Sequence, residues 1–198
     1  RDHDTYVRYK YEHSLMTYLW VDTRANHTDP SSASSYDQVT QYKYGTTKLG
    51  SGQVPGDGTE PKSCIATGHL LREAVYPPQS SGQSSADRTV YSAYDALGEK
   101  VWTRDQNGTE VVTQYDLGAR EAGRFVKTVP DSKVDGWVKA ITLDYTDRGQ
   151  VRNVNQYSSA SYNSGTGLWS ASGELNGVQY AYEDFGNIAG IKQDRDSV

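Results

Sequence analysis

The sequence predicts an all-β protein built of antiparallel β-hairpin repeats that form a curved or spiral sheet. Three observations carry this prediction. A short motif, tyrosine then an acid then glycine, recurs along the chain. The segments on either side of it are rich in Tyr, Val and Thr, which favour a pleated, half-buried strand. Helical periodicity is hardly visible, and the one apolar run near it, Leu70 to Val75, sits between Gly68 and Pro77 and suits a strand better.

The clearest copy of the motif is Tyr94-Asp95-Ala96-Leu97-Gly98. Tyr115-Asp116-Leu117-Gly118 repeats it one residue shorter, Tyr145-Thr146-Asp147-Arg148-Gly149 puts Thr at the acid position, and Tyr182-Glu183-Asp184-Phe185-Gly186 uses Glu. Asp-x-x-Gly matches the first and last positions of a type I turn, where the Asp side chain bonds a backbone N–H two residues on and Gly takes a positive φ. Each copy is therefore expected to be a hairpin. Tyr94, Asp95, Gly98, Tyr115, Asp116, Gly118, Tyr145, Gly149, Tyr182, Glu183 and Gly186 are the residues assigned to these turns.

From the best copy, Val101 and Trp102 lead into Asp105 to Gly108, whose Asn-Gly step is a strong hairpin signal. Residues 89–118 thus read as a three-strand antiparallel meander. Val151 and Val154, like Ile188 and Ile191, stand three apart rather than two, so a bulge is needed to restore their facing. Upstream, Tyr9-Lys10-Tyr11-Glu12 and Tyr42-Lys43-Tyr44-Gly45 keep the tyrosine entry and lose the ending.

Residues 1–198 are taken as one repeat region, degenerate over 1–88 and clearer over 89–198, and as a segment of a larger chain. Four stretches rich in Ser, Gly and Pro interrupt it: Asn26 to Ser35, Gly50 to Ser63, Pro77 to Ala86 and Ser158 to Ser172. These are expected to be loops projecting from hairpin ends, chiefly as flexible surface linker.

Composition narrows the function. Leu, Ile, Val and Phe make up less than a fifth of the 198 residues, but the net charge is only −5, and 16 Tyr and 4 Trp supply apolar area. An ordered protein with a thin, aromatic-rich core follows. An acidic pI near 5.3 gives no footprint for a nucleic-acid backbone. No apolar run approaches the ~18 residues of a membrane span. One cysteine, Cys64, excludes an internal disulfide framework.

At the motif residues the chain resembles the RHS/YD-repeat family, whose repeat is written around Tyr-x-Tyr-Asp-x-x-Gly followed by a strand. The resemblance is strongest from about Val90 to Asp194. It implies a long antiparallel sheet wound in a spiral strip, which in bacterial toxin complexes and polymorphic toxins closes into a shell around a toxic segment. It also implies an extracellular or cell-surface setting. The partners it suggests are flanking repeats of the same chain or neighbouring copies, with an enclosed toxin segment or surface glycans beyond them. The Arg often found after the family's turn glycine is Glu99, Ala119, Gln150 and Asn187 here, and the self-cleaving core region of many members is not seen.

No catalytic constellation stands out. His3, His13, His27 and His69 are scattered without metal-ligand spacing, and Asp95, Asp105 and Asp116 already suit turn positions, so no enzyme, metal or cofactor is expected. A rival function is sugar binding through loop aromatics, since sugars stack on flat aromatic faces. Trp169, Tyr162 and Tyr157 are the candidate glycan-binding residues, and Trp102 and Trp137 also lie near strand ends. The repeat tyrosines Tyr91, Tyr94, Tyr115, Tyr145, Tyr180 and Tyr182 are instead expected to form a cross-strand ladder.

Overall fold

The computed structural model describes residues 5–22, 37–56, 61–77, 88–130 and 136–194. Every regular element among them is a β-strand, and no helix among them is long and apolar enough to cross a membrane. His3, His27 and the insertion at Asn26 to Ser35 lie outside the described residues, as does most of Pro77 to Ala86. The chain divides into two compact units, Arg1–Asn107 and Gly108–Val198.

The first unit holds β1 (Tyr6–Glu12), β2 (Leu15–Asp22), β3 (Gln38–Thr46), β4 (Thr67–Val75), β5 (Thr89–Tyr94) and β6 (Lys100–Arg104). Each strand pairs antiparallel with its predecessor, so this unit is a meander. Leu70 to Val75 is a strand, as the flanking Gly68 and Pro77 predict. Its core is aromatic: Trp20, Val39, Ala74, Val75, Ala93, Tyr94 and Trp102 are buried. Trp102, expected near a strand end with a free face, is 1% exposed. It lies on the inner face of β6 and is covered by the insertion at Gly50 to Ser63. A Cβ on Gly56 would sit 2.3 Å from the Trp102 ring.

The described part of that insertion is therefore packed rather than a free linker. Gly56 N–H bonds the Lys62 carbonyl at 3.1 Å, Ser63 and Lys48 form a parallel bridge, and the buried Ser63 hydroxyl accepts from Tyr94 N–H at 3.0 Å. Next to it, Cys64 N–H bonds the Tyr94 carbonyl, and burial pushes the Cys64 thiol pKa up.

The second unit holds β7 (Glu110–Tyr115), β8 (Glu121–Thr128), β9 (Ala140–Tyr145), β10 (Val151–Asn163), β11 (Leu168–Tyr182) and β12 (Ile188–Asp194), again paired in chain order. Among its described residues, Phe125 and Ala140 form the buried hydrophobic core. Ser158 to Ser172, expected to be a loop, is instead the outer half of the long β10–β11 hairpin, closed by a turn at Ser164 to Gly167. Ser159 pairs with Ser172, Ala160 with Ala171, and the Ser161 and Ser170 hydroxyls bond each other at 3.0 Å. Small residues on facing strands pair well, and a serine-rich composition conceals that pairing.

Candidate functional site: a turn and a tyrosine tether repeated along the sheet

The four motif copies fold into one geometry. Asp95 N–H bonds the Glu99 carbonyl and Gly98 N–H bonds the Asp95 carbonyl; Asp116, Thr146 and Glu183 start turns with the same two bonds. This is a three-residue hairpin loop, a type I turn followed by a left-handed residue. The left-handed position is Gly98, Gly149 and Gly186 in three copies, with φ of 85, 81 and 88°.

In the remaining copy it is Ala119, at φ 58°, and not Gly118. The copy read as one residue shorter is therefore full length, with alanine where glycine belongs. Correct registration also changes the post-turn residue, which becomes Arg120 rather than Ala119, so this copy does carry an arginine there.

In three of the copies the side chain opening the turn caps it. Asp95 Oδ1 accepts from Leu97 and Glu99 N–H at 2.8 and 2.9 Å, and Asp116 Oδ1 accepts from Gly118 and Arg120 N–H at 2.8 and 3.0 Å. Thr146 Oγ1 does the same for Gln150 N–H at 3.2 Å. Arg120 also donates to Asp116 Oδ2 through Nε at 2.8 Å, and hydrogen bonding to Arg120 lowers the Asp116 carboxyl pKa.

The return strands are equally uniform. Tyr94, Tyr115, Tyr145 and Tyr182 face Lys100, Glu121, Val151 and Ile188, and in every copy the ladder then shifts by one residue. The extra residues are Val101, Ala122, Arg152 and Ala189. Arg152 and Ala189 are the bulges that the spacings Val151/Val154 and Ile188/Ile191 require.

The tyrosines do not face one another as a ladder; their hydroxyls reach backwards. Tyr145 Oη donates to the Glu121 carbonyl and Tyr182 Oη to the Val151 carbonyl, both at 2.7 Å. In the first unit Tyr94 Oη donates to the Leu71 carbonyl at 2.7 Å. Glu121 and Val151 are the residues that face the tyrosine of the preceding copy, so each tether joins one copy to the one before it. No spacing in the sequence signals this bond, because the acceptor is a main-chain oxygen.

Neighbouring turns in the second unit also touch. Gln150 Nε2 donates to the Gly186 carbonyl at 2.9 Å, Arg148 donates to the Asp184 carbonyl, and the Arg120 guanidinium lies 4.5 Å from the Tyr145 ring centre. The turn tips leave large apolar side chains in solvent, Leu97 in the first unit and Leu117 and Phe185 in the second.

Of the candidate sugar-stacking residues, Trp169 is half-buried and engaged on several sides. Its ring stacks on Phe125 at 6.0 Å and meets Tyr162 at 5.6 Å. Its main chain is held by one glutamine: Gln114 Oε1 accepts from Trp169 N–H at 2.6 Å and Gln114 Nε2 donates to its carbonyl at 3.1 Å. Trp169 thus fastens the outer half of the β10–β11 hairpin onto β7 and β8. Tyr162 is 44% exposed, and Tyr157 is half-buried with its hydroxyl accepting from Asn155 Nδ2.

No family model matches the chain, and no curated protein does. Among solved structures, one titled TcdB2-TccC3 matches over 98% of this chain with 14% identity and a TM-score of 0.33, using 11% of its own length. A Photorhabdus luminescens Tc holotoxin pore matches over 98% with 14% identity and a TM-score of 0.33, and TcdB2-TccC3 without its hypervariable C-terminal region over 98% with 15% and 0.34. The chain spans about a tenth of the length of each of these.

Proposed function

We propose that this chain is a stretch of YD-repeat sheet acting as architecture, a wall segment of a larger secreted or surface protein of the kind that encloses a toxic segment or forms an extended support. The observation that carries the reading is the recurrence of one unit: tyrosine, three-residue turn and bulged return strand in all four copies, with a side-chain cap on three of the turns and a hydroxyl tether from three of the tyrosines to the preceding copy. Such a unit adds copies along one direction without limit, and each copy is completed by its neighbour. A catalyst would need an exception to the pattern, and Asp95 and Asp116 are already committed to capping backbone N–H groups.

The architectural reading makes flanking repeats or neighbouring copies the natural partners of β1 and β12, each of which has one strand neighbour among the described residues. Amide hydrogen exchange tests it. Tyr6–Glu12 and Ile188–Asp194 should exchange much faster in the isolated 198-residue chain than Val111 to Gln114, and should slow when flanking sequence is restored or the chain self-associates. Equal protection of these strands in a strictly monomeric particle would refute it, as would hydrolysis of a glycoside or peptide abolished by one Asp or Glu substitution. The sugar-binding alternative rests on Tyr162 and on Trp137, which is 76% exposed. Glycan-array binding lost on Trp137→Ala or Tyr162→Ala, with stability unchanged, would favour it.

A further inference from the structure

The pairing between β2 and β3 stops early. It runs from Val21 opposite Gln38 to Tyr18 opposite Gln41 and goes no further, although β2 begins at Leu15 and β3 continues to Thr46. Past that point, among the described residues, each strand keeps only its outer partner. Leu15 and Met16 pair with Glu12 and Tyr11 of β1, while Tyr42, Lys43 and Tyr44 pair with Ala74, Glu73 and Leu71 of β4. The two strands diverge around a cleft of about 470 Å³, whose lining includes His13, Tyr18, Tyr42, Tyr44, Gly68 and His69.

Backbone chemistry dictates what fits such a cleft. Alternate peptide groups of a strand point to alternate sides, so the free edge of Tyr42–Tyr44 presents N–H and C=O groups to the cleft in the row that Gln38–Gln41 uses to bind β2, up to Gly45, where a φ of 97° ends the row. At about 3.3 Å per residue this edge is roughly 10 Å long, room for a short extended segment. The walls differ in kind. Tyr42 and Tyr44 share one face of β3. Gln41 and Lys43 share the other, where Gln41 Nε2 donates to Tyr18 Oη at 2.7 Å and Lys43 is paired with Glu73 at 2.9 Å. Lys43 and Glu73 answer each other on that wall, and Glu12 of the lining lies 3.4 Å from Lys10, so the lysine and the carboxylates around the cleft are already paired and favour an uncharged occupant.

We propose that this cleft is a strand-addition site that takes an extended, uncharged polypeptide segment, which continues the β2–β3 ladder by main-chain hydrogen bonds to β3 and seats alternate side chains against Tyr42 and Tyr44. It is distinct from the outer edges of β1 and β12, and it needs no further repeats.

The test uses the full 198-residue chain, labelled with nitrogen-15, and a capped heptapeptide of sequence Gln-Thr-Val-Thr-Val-Thr-Gln. Its partner probe has the same sequence with alternate amides N-methylated, which removes strand-pairing donors and keeps the side chains. The expected result is binding of the first peptide, with shifts and slowed exchange confined to Tyr42–Tyr44 and Leu15–Thr17, and at least tenfold weaker binding of the methylated one. Gly68→Phe adds a ring where a Cβ meets nothing within 4 Å, so it should block the cleft and leave the melting temperature unchanged. Equal binding of both peptides, no binding at about 1 mM, the weak end of specific affinity, or peptide binding unaffected by Gly68→Phe would each overturn the proposal. So would a cello- or malto-hexaose that shifts the same amides where the peptide does not.

Discussion

Val151 serves two tyrosines: it faces Tyr145 across one hairpin, and its carbonyl accepts the hydroxyl of Tyr182 at 2.7 Å from the next. Glu121 stands in the same relation to Tyr115 and Tyr145. A sheet gains little rigidity from isolated hairpins, so bonds that cross from copy to copy are where cooperativity enters.

Tyr182→Phe removes one such bond and keeps the ring. A neutral hydrogen bond contributes about 1 kcal/mol net, and here the carbonyl left behind is partly buried. The expected outcome is a loss of about 1 kcal/mol in urea unfolding, with the same loss for Tyr145→Phe. No change in either variant would show that the tethers are incidental.

The turns predict opposite signs for two substitutions. Gly98 sits at φ 85°, so Gly98→Val should destabilise by about 1 kcal/mol or more, because a β-branched residue is penalised there. Ala119 already bears a similar penalty at φ 58°. Relief of about 1–2 kcal/mol on mutation to glycine is partly offset by the greater freedom of glycine in the unfolded chain. Ala119→Gly should therefore stabilise by about 0.5 kcal/mol, read as a higher unfolding midpoint.

Gln114 holds the main chain of Trp169 from 55 residues away, with a bond on each side of the residue. Gln114→Ala should loosen the outer half of the β10–β11 hairpin without unfolding the sheet. In hydrogen exchange, Ser159 to Ser172 should lose protection while Val154 to Gln156 keep theirs. Uniform protection in the variant would mean that stacking on Phe125 alone anchors the hairpin.

How far the sequence reaches is clear from these residues. Tyrosine followed by Asp-x-x-Gly is local, so three of the four turns, the strands around them and the two later bulges are legible. Ala119 is missed because a glycine stands one position too early and draws the alignment to itself. The Tyr–carbonyl tethers, the Gln114–Trp169 clamp and the covering of Trp102 by Gly56 join residues far apart in the chain, and no composition or spacing encodes such contacts. The serine-rich hairpin arm misleads for a related reason, since pairing between small residues depends on register and not on residue type.

Asp116 gives a pH signature. Its carboxyl is held below the usual aspartate range mainly by the Arg120 side chain, so the ionised form is favoured more in the folded chain than in the unfolded one. The interaction therefore supports folding above the ordinary aspartate pKa and is lost as pH falls through the lowered value. Carbon-13 titration of Asp116 should show a midpoint below that of unfolded aspartate, and Arg120→Ala should raise it. A midpoint unmoved by Arg120→Ala would assign the shift to the backbone N–H groups instead.

The insertion over Trp102 supplies a test that separates strain from collision. Gly52 and Gly56 both have positive φ, at 79 and 86°, so alanine is strained at either position. Their surroundings differ. A Cβ at Gly52 meets nothing within 4 Å, whereas at Gly56 it lies 2.3, 2.4 and 2.6 Å from three atoms of the Trp102 ring. That ring is 1% exposed and central to the aromatic core, so it has no room to give way. Gly52→Ala should cost about 1 kcal/mol, the backbone penalty alone. Gly56→Ala should add the cost of shifting either the insertion or the indole, on the order of 1–3 kcal/mol further. Thermal unfolding followed by tryptophan fluorescence measures both. Equal losses in the two variants would mean that the insertion stands clear of Trp102 in solution and that the core of the first unit is closed by something else.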